Sequence, residues 1–137
     1  MAAYTLAITL HRPYEETVEA VRAQLREAGF GVLTEIDLRA TLKQKLDVDV
    51  PPQVILGACR PQLAHQALQV DPSIAALLPC NVVLRALDDQ TTVVEAFDPS
   101  AMVSLAGDAG KPLAAIAADA RERLTAALAA LSEKKGH

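Results

Sequence analysis

The sequence contains two cysteines, Cys59 and Cys80, and each lies at a junction between regular elements. Cys59 ends an apolar run that begins at Val54, and Arg60-Pro61 follows it, with the proline suited to the first turn of a helix. The positive end of that helix and the Arg60 guanidinium would both favour a thiolate at Cys59. This arrangement predicts a reactive thiol, and Cys80, if close by, would complete a redox couple or a soft-metal site.

The two cysteines also have a structural interpretation, which stays open beside the chemical one. Cysteine is among the residue types most often buried, where it fills space as a small apolar side chain. Two cysteines in a chain of 137 residues do not make a disulfide framework, so both are expected to be reduced thiols.

A metal site would need ligands besides the two thiols. Glu35 and His65 are the candidates that could join Cys59 and Cys80, but neither has a diagnostic spacing to a cysteine. His65 is expected beside the inward-facing stripe of its helix, at the boundary between the buried and the exposed face. The sequence identifies no cofactor.

Two polar residues are candidates for a ligand site next to the cysteines. Glu35 alternates with Leu33 near the end of a strand, and a carboxylate facing the cysteine layer would have a perturbed pKa. The alternative is an exposed glutamate at a strand end, because glutamate is rarely buried without a partner. Asn81 follows Cys80 and is expected to hydrogen-bond the backbone where its strand starts.

Hydrophobic periodicity predicts the elements that position these residues. Tyr4, Leu6, Ile8 and Leu10 alternate with polar or small residues, as in a half-buried strand, whereas the stripe from Tyr14 to Ala28 has the period of a helix. Gly29 is expected to end that helix in a left-handed conformation. The predicted strands are residues 4–10, 30–36, 53–58, 80–87 and 91–98. The predicted helices are residues 13–28, residues 38–46 with Asp37 as N-cap, a helix that begins at Pro61, a turn at 73–78, and a long helix that begins at Pro112. In the helix from Pro61, the residues Ala64, Ala67 and Leu68 are expected to face inward. Residues 132–137, at the end of the long helix, are expected to fray.

This order of elements predicts an α+β fold. A curved, mostly antiparallel sheet of about five strands would carry the N-terminal and the long C-terminal helix on one face, in the order β-α-β-β-β-β-α with short helical inserts. Residues 1–137 contain no repeat and no linker, so a single domain is expected, and residues 107–110 would be its loosest segment.

The other face of the sheet would be apolar for a surface in contact with water. Ala7 and Leu33 are expected there, together with some of Val83, Leu87 and Val94. Large exposed apolar patches are uncommon on monomers, so this face predicts a homodimer. The alternative is that the short insert helices cover the face within one subunit.

Composition and charge argue against two other classes of partner. Aromatic residues make up 3% of the chain, tryptophan is absent and the net charge is −4, so stacking on bases or binding of a phosphate backbone is not expected. No apolar run is long enough to cross a membrane, and no secretory leader precedes Tyr4. The expected location is the cytoplasm.

Several segments resemble the family catalogued as domain of unknown function 302. These segments are residues 29–37, residues 42–46 including Lys45, Gly57-Ala58-Cys59 with Pro61, Ala64 and Leu68, and residues 78–82. The sequence departs from the family pattern at Arg60, where the family has asparagine. The resemblance implies an α+β fold with a long helix packed across a curved antiparallel sheet, and a dimer. It also implies that Cys59, Cys80 and Glu35 belong to one site, and it assigns no activity.

Three functional hypotheses follow. The first is a small dimeric domain that binds a small ligand in a cleft around Glu35, Cys59, Cys80 and Asn81. The second is a thiol-dependent redox or soft-metal-binding protein in which Cys59 is the reactive thiolate. The third is a structural or interaction domain without a small-molecule site.

Overall fold

The computed structural model of the protein describes residues 3–133. The strands are β1 (Thr5–Leu10), β2 (Gly31–Asp37), β3 (Gln53–Cys59), β4 (Cys80–Asp88) and β5 (Thr91–Phe97). The helices are α1 (Tyr14–Glu27), α2 (Leu38–Leu46), α3 (Pro61–Val70), α4 (Ser100–Leu105) and α5 (Gly110–Glu133), with 3-10 turns at Pro72–Leu77 and Gly107–Ala109.

The five strands form one antiparallel sheet in the order β1-β5-β4-β3-β2. The chain therefore places its first strand beside its last, and β2 is the opposite edge. This arrangement confirms the predicted α+β fold with a five-stranded antiparallel sheet and a long C-terminal helix. The single-domain organisation stays a prediction.

The main core lies between one face of the sheet and the two long amphipathic helices. Alternate residues of the strands, such as Leu56 on β3 and Leu84 on β4, are fully buried on this face. Leucines and valines spaced three or four apart on α1 and α5 pack against them. The buried cluster comprises Leu10, Val21, Leu25, Phe30, Val54, Leu56, Ala58, Val82, Leu84, Val94, Ala96, Leu124, Leu128 and Leu131.

Local signals in the sequence explain where the elements begin and end. The Asp37 side chain caps α2 by accepting a hydrogen bond from the Ala40 backbone N–H at 2.9 Å. Gly29 follows α1 with a φ of 90°, a conformation that favours glycine, and the Phe30 N–H then bonds the Leu25 carbonyl at 2.9 Å. These bonds fix the turn that leads from α1 into β2.

Three expectations about the helices are wrong in part. On α3 the buried residues are Leu63 and Ala67, one turn apart, whereas Leu68 is exposed. Gly110, expected in the loosest segment, is buried against the Val103 carbonyl of α4. The helix α5 continues through Ser132 and Glu133, where fraying was expected, and residues 134–137 lie outside the described part of the chain.

The open face of the sheet, on the side away from α1 and α5, is more polar than expected. Val94 lies opposite Leu84 and Ile8 in the buried core, not on this face. Glu95 follows it in β5 and faces outward between Ala7 and Val83, because successive side chains of a strand point to opposite faces. Leu33 and Leu87 are exposed at register irregularities of β2 and β4. Within residues 3–133, no helix combines the length and apolar character that crossing a bilayer requires.

Candidate functional site

The two cysteines lie at neighbouring ends of β3 and β4. Cys80 is the register partner of Ala58, so Cys59, the next residue along β3, is adjacent to it on the same end of the sheet. Both side chains line one pocket between this end of the sheet and helices α3 and α5, named here the thiol pocket. Its lining residues are Phe30, Ala58, Cys59, Arg60, Leu63, Ala64, Ala67, Leu78, Cys80, Met102, Ile116 and Ala120.

The thiol pocket is small and almost entirely apolar. Its cavity volume of about 30 Å³ accommodates a group of only a few atoms. Besides the thiols, the polar side chain in its wall is Arg60, whose Nε atom is buried and has no hydrogen-bond partner among the described residues. That Nε faces Gly29: a Cβ added there would come within 3.0 Å of it. A buried donor without a partner is uncommon, which makes Arg60 the polar feature of this pocket.

Burial raises the pKa of both thiols. The pKa of Cys59 lies above its ordinary value because desolvation disfavours the thiolate. Burial, and to a lesser extent the nearby Cys59, raises the pKa of Cys80 to about 11. This direction is opposite to the lowered pKa expected for Cys59 from the start of α3 and from Arg60. Desolvation therefore outweighs those two effects, and both groups are protonated at neutral pH.

The raised pKa values predict slow alkylation of the native protein. At pH 7 we expect iodoacetamide to modify Cys59 more slowly than a cysteine in the unfolded chain, and Cys80 more slowly still, because the thiolate is the nucleophile. Mass spectrometry of tryptic peptides over time, in buffer and in urea, measures both rates. A Cys59 peptide that is alkylated faster in the native protein than in urea would contradict the prediction.

Glu35 lies apart from the thiol pocket. Its carboxylate forms an ion pair with Arg22 of α1, and its side chain is 50% exposed. It is opposite Leu56 in the middle of β3, three residues before Cys59 at the strand end, and it lines a separate groove beside Tyr14 and Val18. The ion pair with α1 is a surface contact of modest expected strength.

Asn81 also lies outside the thiol pocket, on the open face. It follows Cys80 directly, so the alternation of the strand places the two side chains on opposite faces of the sheet. Asn81 is exposed and lines a cavity that includes Arg85 and Glu95. Of the four residues expected to form one cleft, the structure brings together the two cysteines and separates Glu35 and Asn81 from them.

His65 is exposed on α3 and does not line the thiol pocket. Among residues 3–133, no cluster of three or more histidine, cysteine or acidic side chains is arranged to hold a metal ion. Of the four candidate ligands, Cys59 and Cys80 share the thiol pocket, whereas Glu35 and His65 lie outside it.

Several pocket residues were not identified from the sequence. Arg60 was considered only for its charge and as a departure from a family pattern, and no role was predicted for Met102. Ile116 and Ala120 belong to the apolar stripe of α5, and the helical period indicates that this stripe faces inward. The pocket at this end of the stripe could not be inferred, because it depends on how α3 crosses α5.

The chain is similar to a protein of known structure that has no assigned activity. It shares 31% identity with an uncharacterized conserved DUF302 protein from Bacillus stearothermophilus, with 93% of this chain and 97% of that one covered and a TM-score of 0.82. No functionally curated protein matches the sequence. The family model for the domain of unknown function DUF302 matches residues 6–131. The chain therefore belongs to the DUF302 family.

Proposed function

We propose that the protein is a small-ligand-binding domain and that the thiol pocket is its binding site. The observation that carries the proposal is the buried Arg60 Nε, which has no partner among the described residues and belongs to a side chain in the wall of an otherwise apolar pocket. Because this Nε packs against Gly29, the Arg60 side chain must rotate toward the pocket before a ligand acceptor can bond to it, and that bond would then remove the cost of leaving the donor unpaired. Glu35 and Asn81 are outside the proposed site.

The lining of the pocket favours binding over thiol catalysis. It contains no histidine or carboxylate that could take a proton from Cys59 or Cys80, and burial keeps both thiols neutral. Neutral thiols act as soft, weakly polar surface. The preferred ligand therefore has few heavy atoms, a largely apolar body and one hydrogen-bond acceptor, and the flexible side chain of Met102 can adjust to its shape.

Two small probes test the proposal by nuclear magnetic resonance. Titration with acetone, which has an acceptor, and with xenon, which has none, is expected to shift amide signals of Phe30, Met102 and Ile116. Arg60→Met should weaken acetone binding about fivefold to tenfold, the value of one hydrogen bond, and leave xenon binding unchanged.

A filling variant provides the control. Ala64→Leu places three additional carbons in the wall of the pocket and should abolish the shifts for both probes, whereas Gln66→Leu, exposed on the same helix, should not. Shifts that persist in Ala64→Leu, or the absence of any saturable shift with either probe, would refute binding in the thiol pocket.

We further propose that the protein is a homodimer and that β2 and α2 form its interface. No residue from 31 to 52 is buried, although this segment includes Leu33, Ile36, Leu46 and Val48, all exposed. The strand β2 is also an edge of the sheet, and two copies of an edge strand can pair antiparallel about a two-fold axis. The mixed polarity of the open face makes that face a weaker candidate for the interface.

Sedimentation equilibrium tests the proposed interface. We expect a species of twice the 14.5 kDa chain mass, and Leu33→Asp should convert it to the monomer by placing a charge in a desolvated contact. Leu105→Asp, on an equally exposed leucine of α4, should leave the dimer intact. A wild-type monomer, or a dimer that tolerates Leu33→Asp, would rule out this interface.

A further inference from the structure

A second cavity lies on the open face of the sheet, remote from the thiol pocket. Named here the open-face pocket, it has a volume of about 340 Å³, within the range of sites that hold small molecules. It spans four adjacent strands. Its lining residues are Tyr4, Thr5, Gln53, Asn81, Val83, Arg85, Glu95 and Phe97.

The floor of this pocket is a fixed polar network. Arg85 Nη1 donates a hydrogen bond to Glu95 Oε1 at 2.7 Å, and Thr5 Oγ1 donates to Glu95 Oε2 at 2.7 Å. These two bonds hold both carboxylate oxygens. They also lower the pKa of Glu95 below its ordinary value, and the hydrogen bond from Arg85 has the larger effect. The Glu95 side chain is only 18% exposed. The network is therefore ionised and oriented before any ligand arrives.

A cross-strand ion pair that only stabilises the sheet would account for Arg85 and Glu95. Gln53 and Asn81 line the same pocket, and neither side chain hydrogen-bonds another described residue, so both amides are available to a ligand. Arg85 is 42% exposed, and a guanidinium carries five N–H donors, so it can bond a ligand as well as Glu95. Together these groups offer donors and acceptors across three adjacent strands of the pocket floor.

The charges of the network select the class of ligand. Arg85 and Glu95 neutralise each other, so the pocket presents no unpaired ionic group to a charged molecule. The planar amides and the guanidinium suit neighbouring hydroxyl groups, which both donate and accept, and Phe97 and Tyr4 offer ring surface to C–H groups. We propose that the open-face pocket binds a neutral, hydroxyl-rich small molecule of the size of a monosaccharide.

Isothermal titration calorimetry with D-glucose, D-galactose, D-ribose and myo-inositol tests this proposal. At least one of them should bind saturably, and Asn81→Leu and Gln53→Leu should each weaken it about tenfold, because each removes the hydrogen bonds of one amide. Thr9→Val, on the same face but outside the pocket lining, should leave the affinity unchanged.

Three results would overturn the proposal. They are the absence of saturable binding by any of the four compounds, an affinity unaffected by Asn81→Leu, and binding of acetate or glycine in preference to all four. If a second copy of the chain covers this face, Asn81→Leu will change the sedimentation behaviour and no sugar will bind, which also counts against it. Ala64→Leu, which fills the thiol pocket, should not affect sugar binding, so the two proposed sites can fail independently.

Discussion

Replacement of Leu124 by alanine is expected to lower the free energy of unfolding by about 2–5 kcal/mol. Leu124 is 1% exposed, in the part of α5 that packs against the sheet, and its side chain contributes to the main buried cluster. Truncation removes three buried carbons and leaves a cavity that close-packed neighbours fill only in part. Urea denaturation followed by circular dichroism measures the change.

The matched control for Leu124→Ala is Leu105→Ala on α4. Leu105 is 67% exposed, so its truncation should change the free energy of unfolding by no more than about 0.5 kcal/mol. Equal effects of the two substitutions would show that α5 does not pack on the sheet as described.

Replacement of Gly57 by alanine is expected to destabilise the protein by about 1–3 kcal/mol. Gly57 lies in β3 between Thr34 of β2 and Asn81 of β4. A Cβ at this position would overlap Thr34 Oγ1 and lie 2.9 Å from Pro79 Cγ, so at least one neighbour must move. The same urea experiment measures the loss.

A double substitution identifies the cause of that loss. Thr34→Ala removes the overlapping Oγ1, so the pair Gly57→Ala and Thr34→Ala should be more stable than the sum of the single effects predicts. Gly31→Ala is the control, since a Cβ there meets only the Cys59 carbonyl oxygen at 3.8 Å, an ordinary contact. Strict additivity of the pair would mean that Thr34 is not the obstacle.

The fold could be predicted from the sequence because its local signals agree with one another. Alternation in β1, the stripes of α1 and α5, and the caps at Gly29 and Asp37 each specify one element. The polarity of the open face could not be predicted, because it depends on which residues of β4 and β5 face each other. A shift of one residue in that register exchanges Val94 and Glu95 between the core and the open face.

The candidate site was also predicted only in part, because it depends on strand register, which the sequence does not reveal. Cys59 and Cys80 could be expected close together, since one ends and the other begins consecutive antiparallel strands. Glu35 could not be placed, because an irregularity of β2 between Val32 and Thr34 changes which β3 residue it faces, and no residue type in the segment marks it. The pKa of Cys59 was expected to fall because neighbouring charge can be inferred from the sequence, whereas the burial that desolvates the thiol and raises its pKa cannot.

The pairing of β1 with β5 has a consequence for synthesis on the ribosome. Thr5 finds its partner Phe97 only after more than ninety further residues have been added, which takes about 5 to 20 seconds at usual rates of elongation. Until then the nascent N-terminal segment has no strand to join. The pairing of β1 with β5, which completes the sheet, is therefore a late event. In a chain released before β5 emerges, β1 has no strand with which to form hydrogen bonds.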